Sequence, residues 1–181
     1  SSPELLEQGK GDIWDSGKIE SDASQWITYQ GKTLKCNASY YWKVKINTNK
    51  GATNWSAPAF WTTGLFNEAD WQGQWIGLDR AAPGDSETQR SRLAARYLRK
   101  EFAVKKDVKR ATVHIAGMGL YELFINGQRI GNQVLAPAPT DYRKTILYNT
   151  YDVTSLLQTE NAIGVTLGNG RFYTMRQNYK P

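Results

Sequence analysis

Between Tyr40 and Asn47 the chain alternates strictly. Tyr40, Trp42, Val44 and Ile46 fall on one side, and Tyr41, Lys43, Lys45 and Asn47 on the other. A period of two sends successive side chains to opposite faces, so this segment reads as a half-buried strand with one apolar face. The same period returns further on. Leu98, Phe102 and Val104 point one way, with Lys100 the exception on that face. Val113 and Ile115 alternate with Thr112 and His114, Tyr121 with Leu123 and Ile125 forms another row, and Ile163, Val165 and Leu167 form the last. A sustained helical period of 3.6 occurs almost nowhere. Gly, Asn, Asp and Pro separate the short alternating runs, and together these signals predict an all-β chain.

Turn chemistry places the connections. Asn126-Gly127 between alternating segments predicts a type I′ hairpin, because both central residues need positive φ. Gln128 to Val134 is then the return strand. Asn37-Ala38-Ser39 and Asn49-Lys50-Gly51 read as turns, and Phe60 to Gly64 as a closing strand with a glycine stop. Asp79 to Arg92 is polar and rich in turn formers, which predicts a long exposed loop. Asp152 to Leu157 predicts one or two helical turns capped by Asp152 or Thr154. Glu160-Asn161 reads as a turn, and Gly168-Asn169-Gly170 closes the last strand.

Composition excludes several classes. With 40% hydrophobic and 22% charged residues the chain has enough apolar surface to fold. No apolar run approaches the ~18–20 residues needed to span a bilayer, so no membrane insertion is expected. The opening SSPELLEQGKGD lacks the basic start and apolar stretch of a signal peptide. Cys36 is the single cysteine, which excludes an internal disulfide and a CxxC pair. His114 is the single histidine, which argues against a zinc hydrolase, so no metal or other cofactor is expected. The net charge of +6 gathers between Arg90 and Arg110, but Glu101 and Asp107 interrupt it. No nucleic-acid-binding motif accompanies it, and nucleic acid is set aside as a partner. Aromatic residues reach 12%, which suits both sandwich cores and sugar-stacking surfaces. Asn37-Ala38-Ser39 and Asn54-Trp55-Ser56 match the glycosylation triplet by chance, beside predicted strands.

Several motifs in order carry a resemblance. The first group is Trp14-Asp15-Ser16-Gly17-Lys18, Tyr40-Tyr41-Trp42-Lys43-Val44, Trp55-Ser56 and Thr62-Thr63-Gly64. The second is Leu98 to Phe102, Gly119 to Gly127, Leu135-Ala136-Pro137, Thr140-Asp141-Tyr142, Tyr151 to Thr154, Asn161 to Val165 and Leu167 to Gly170. Nearly the whole chain thereby resembles the N-terminal modules of bacterial α-L-rhamnosidases, a family of large glycoside hydrolases. The resemblance implies a fibronectin type III or immunoglobulin-like sandwich over residues 1–64, followed over 65–181 by a jelly-roll, galactose-binding-like β-sandwich. Both are expected to be incomplete: a full fibronectin-like sandwich takes ~100 residues. The family's catalytic (α/α) barrel has no counterpart here. Two motifs depart from the family: Arg171-Phe172-Tyr173 stands where a Trp-Tyr pair is frequent, and Ala138-Pro139 where Gly-Trp is frequent.

Inverting glycoside hydrolysis needs two carboxyl groups roughly 6.5–9.5 Å apart. Glu122 lies on a predicted strand, Asp152 at a helix cap and Asp15 in a strand-entry turn, so each has a structural explanation and no catalytic residue is assigned. The sugar-binding or domain-docking candidates are Asp141 and Tyr142, on a Pro-rich loop, and Asn169 and Arg171 after the last strand. Trp71 and Trp75 are expected to pack between the domains. The resemblance thus implies a non-catalytic accessory region of an enzyme that removes terminal L-rhamnose from glycosides or polysaccharides. It would hold the catalytic domain, meet a rhamnose-containing glycan, and sit in the periplasm or outside the cell. An independent carbohydrate-binding module and a purely structural docking domain are the alternatives.

Overall fold

The computed structural model describes residues 2–23, 25–77 and 94–170. Its contacts divide the chain into two units, Ser1–Gln74 and Trp75–Pro181. The chain is all-β: one short helix and two 3₁₀ turns accompany ten strands among the described residues. The expected loop Asp79–Arg92 lies outside them.

The first unit opens with a helix the periodicity does not announce, α1 (Pro3–Glu7). Ser2 caps it, its hydroxyl accepting from Leu5 N at 3.4 Å, and Pro3 opens the first turn, where a missing N–H costs nothing. Five residues are too few to display a 3.6 period. Asp15 makes its turn, with Oδ1 accepting from Gly17 N at 2.9 Å and Gly17 at φ +57°, but no strand follows directly.

Residues 39–62 form one long hairpin. β1 (Ser39–Trp42) pairs antiparallel with β4 (Ala59–Thr62) at its base, and β2 (Asn47–Thr48) with β3 (Gly51–Ala52) at its tip. The strand expected to run unbroken to Ile46 is interrupted after Trp42. There, Val44 N donates to Ser56 Oγ and Ile46 N to Thr53 Oγ1, both at 3.1 Å. Hydroxyls thus replace backbone carbonyls in two rungs, the competition that Ser and Thr offer to a ladder. Tyr40 is buried beside the Trp61 ring, 5.2 Å away. Trp42, Val44 and Ile46 are exposed, so the alternating face is present but uncovered. Asn37 takes φ +48° in its predicted turn, and Asn49-Lys50 turn before Gly51.

The second unit has a four-stranded antiparallel sheet in the order β5 (Arg96–Ala103), β10 (Glu160–Gly168), β7 (Leu120–Ile125) and β8 (Gln128–Ile130). A two-stranded ribbon joins β6 (Thr112–Ala116) to β9 (Tyr148–Asp152). Leu98, Val165 and Leu123 stand opposite one another across three strands. Leu123 and Ile125 are each 1% exposed, and the core of Tyr121, Leu123 and Ala136 receives Val113, Ile115 and Tyr151 from the ribbon. Two sheets therefore pack face to face, each burying its alternating apolar side.

Three details correct the sequence reading. The return strand ends at Ile130 and does not reach Val134, because Gly131 turns away at φ +78° and leaves Val134 and Leu135 exposed. The helix at 152–157 is a single 3₁₀ turn, Thr154–Leu156, with Val153 at the N-cap position. Asp152 still holds it from one residue earlier, accepting from Thr154 N at 2.9 Å and from its hydroxyl at 2.6 Å. Glu160-Asn161 is not a turn but the start of β10, since Asn161 is buried and pairs with Phe102.

Candidate functional site

One end of the β7–β10 pair brings together Asn169 and the root of the Pro-rich loop. Its floor is residues 117–120, and glycine decides its shape. A Cβ on Gly119 would stand 2.2 Å from Gly168 O and 3.0 Å from Asn169 O. A Cβ on Gly170, at φ +53°, would meet Leu120 N at 2.7 Å. Two bare backbones thus pass in contact, and that closeness seats Asn169 against the start of β7.

On the other side lies the root of the Pro-rich loop. Tyr121 N donates to Ala136 O at 2.9 Å, and Ala136 is buried in the core. Asn149 donates to the Tyr121 hydroxyl at 2.6 Å, the Tyr151 hydroxyl donates to Gln133 Oε1 at 3.0 Å, and Arg129 donates to Gln133 O at 2.8 Å. Burial, with a contribution from Tyr151, pushes the Tyr121 hydroxyl well above its ordinary value, so it stays neutral. Sequence reasoning did not identify Tyr121, Asn149 and Tyr151 as the polar support of this loop. Their positions on alternating strands hide it, because a tyrosine facing a core looks apolar until its hydroxyl's partner is known.

Further along the loop, Asp141 folds its own turn. Its carbonyl accepts from Lys144 N and Thr145 N at 2.9 and 3.0 Å. Its carboxylate accepts from Arg143 N at 3.3 Å and Nε at 3.1 Å. Tyr142 is half-buried beside it. The structure therefore brings Asn169 and the loop root to either side of residues 117–121, with Asp141 and Tyr142 on the same loop. Arg171 lies outside the described residues. Trp71 is half-buried near the end of the first unit and Trp75 is exposed at the start of the second.

Several of the described carboxylates carry structural duties. Glu122 pairs with Arg129 at 3.2 Å, and Asp70 accepts from Asn67 N and Phe66 N. The Asn67 backbone bond holds Asp70 below the usual carboxylate range, and the Thr154 hydroxyl does the same for Asp152. A general acid requires the opposite shift. Among the described residues no His, Cys, Asp and Glu cluster is arranged for a metal, and no helix is long and apolar enough to cross a membrane.

Residues 4–67 match the family model described as the Rha78A-like, N-terminal immunoglobulin domain, and residues 106–181 match the alpha-L-rhamnosidase N-terminal domain. An alpha-L-rhamnosidase of Formosa agariphila is 37% identical over 99% of this chain and 20% of its own length. One from an Alteromonas species is 35% identical over 88% of this chain and 18% of its own. Among solved structures, the alpha-L-rhamnosidase from Dictyoglumus thermophilum superposes with a TM-score of 0.84 at 42% identity, over 94% of this chain and 20% of that one. The native enzyme from Aspergillus terreus gives 0.72 at 33% identity, over 85% and 18%. The chain spans about a fifth of the length of the curated relatives it matches.

Proposed function

We propose, from the premise that this chain belongs to the N-terminal region of the α-L-rhamnosidases, that it is the non-catalytic β-region of such an enzyme. It supports the catalytic domain and presents the β7–β10 end, with its Pro-rich loop, to a glycoside bearing terminal L-rhamnose. The single observation behind this reading is the duty of the carboxylates. Glu122, Asp141 and Asp152 are each held by a partner within two residues or on the next strand, and the Thr154 hydroxyl holds Asp152 below the usual carboxylate range, the opposite of what a general acid needs. A loop carrying polar and aromatic groups on a rigid sandwich is where recognition concentrates.

The test is calorimetric titration of the chain with L-rhamnose and with a rhamnosyl glycoside. Weak saturable binding that Asn169→Ala reduces supports recognition at this end. Binding that is indifferent to Asn169→Ala and Asp141→Ala, or no heat with either sugar, overturns it.

A further inference from the structure

The outer face of the four-stranded sheet carries a feature that the loop end does not use. Gly164 sits in the interior of β10, between Arg99 on β5 and Phe124 on β7. Its φ lies outside the left-handed range, and a Cβ there would meet Phe124 Cβ at 3.8 Å and Leu98 O at 4.0 Å, both ordinary contacts. Neither backbone conformation nor crowding within the fold requires a glycine here. An interior strand glycine often marks a bulge, a bend or a close approach to the backbone, and the register runs unbroken through Gly164 on both sides, which leaves close approach.

The bare position opens a depression of about 250 Å³. Tyr97 borders it from β5 with 82% of its surface exposed, and Phe124 borders it from the opposite strand. Thr166, between Tyr97 and Glu122 in the register, supplies a hydroxyl residue to the same face. Two ion pairs stand on this face, Arg99 with Glu101 at 2.6 Å and Arg129 with Glu122 at 3.2 Å. Each positive charge is matched, so the surface has no excess charge to hold a phosphate or another anion. Its volume suits one ring, not a helix or an extended peptide, and its lining is mostly apolar, the two rings with Ala162 and bare backbone, with Arg99 and Thr166 the polar side chains beside them. A neutral ring with an apolar face and hydroxyls around its edge complements that pattern.

We propose that the Gly164 depression is a sugar-ring subsite, separate from the loop end, in which a neutral pyranoside lies over Gly164 against Tyr97 and Phe124. Arg99 and Thr166 face its hydroxyls. The choice of a glycan as occupant rests on the reading of the chain as part of a rhamnosidase; the position of the subsite rests on the sheet.

The test is a proton–nitrogen NMR titration of the whole chain with methyl α-L-rhamnopyranoside. Saturable shifts are expected at Tyr97, Phe124, Gly164 and Thr166, with a Kd in the millimolar range. Gly164→Val fills the depression with a residue suited to a strand, so the spectrum should stay folded while the Kd read from those shifts rises at least about tenfold, a loss of ~1.4 kcal/mol. Tyr97→Ala should weaken them similarly, and Asp141→Ala should leave them intact. Shifts confined to residues 135–145 and 169 overturn this subsite while leaving the proposed function standing. No shift on the sheet face, shifts unchanged in folded Gly164→Val, or shifts that follow protein concentration and not sugar also overturn it.

Discussion

Asn126 and Gly127 hold positive φ, +51° and +82°, and a Cβ on Gly127 would meet nothing within 4 Å. Any cost of substitution there is therefore conformational. Gly127→Val should destabilise the second unit by about 1–3 kcal/mol, read as a lower denaturation midpoint with an unchanged slope. His114 offers a second test. Its Nδ1 lies 2.9 Å from Thr150 Oγ1, its ring meets Tyr148 edge-on, and burial, then nearby Arg110, lowers its pKa. A lowered histidine binds its proton more readily when unfolded. Its stabilising contribution is complete above the unfolded value of about 6.5 and is lost as pH falls through that value toward the folded one. Stability should thus rise as pH climbs from below the unfolded value of about 6.5 through it, and His114→Gln should flatten that rise in melting curves. The turn residues were legible because positive φ leaves few choices. The histidine's environment was not, since it depends on Thr150 and Tyr148, which pairing with β9 brings beside it from about thirty-five positions along the chain.

At the scale of elements, one knot ties the hairpin turn to the last strand. Asn126 Nδ2 donates to Asn161 Oδ1 at 3.0 Å and to Leu156 O at 2.9 Å, and its Oδ1 accepts from Ala162 N at 2.8 Å. Asn161, 5% exposed, also accepts from Gln158 N at 2.8 Å and donates to Gln158 O at 2.6 Å. Asn161→Ala should cost about 1–3 kcal/mol by leaving buried polar groups unpaired. A double-mutant cycle with Asn126→Ala should be non-additive by ~0.5–3 kcal/mol, because both residues share one network. This knot explains why Asn161 was misread. Asparagine is a turn former by local chemistry, and only the partner thirty-five positions away makes it a strand residue. The alternating rows of β7 and β10 needed no such partner, and their faces were legible from Tyr121, Leu123, Ile125, Ile163, Val165 and Leu167. The candidate site was legible as a loop and a strand end. The glycine contacts that bring them to residues 117–120 were not, because they join segments about fifty positions apart.

Across the whole molecule the two units differ in how much they bury. Among the described residues, the buried apolar side chains are Tyr40 in the first unit and Tyr121, Leu123, Ile125, Ala136 and Val153 in the second. Local stability follows such burial, so amides of β1 and β4 should exchange with solvent faster than those of β7 and β10. Equal protection in both units would contradict that difference. The role proposed above is that of a β-region that serves an α-L-rhamnosidase without performing its chemistry. It is tested most directly by incubating the purified chain with an aryl α-L-rhamnoside and following release of the aryl group. No release above the uncatalysed rate is predicted, because Glu122, Asp141 and Asp152 are held in structural roles. Turnover that follows the purified chain, and that Glu122→Gln or Asp141→Asn abolishes, would contradict the account.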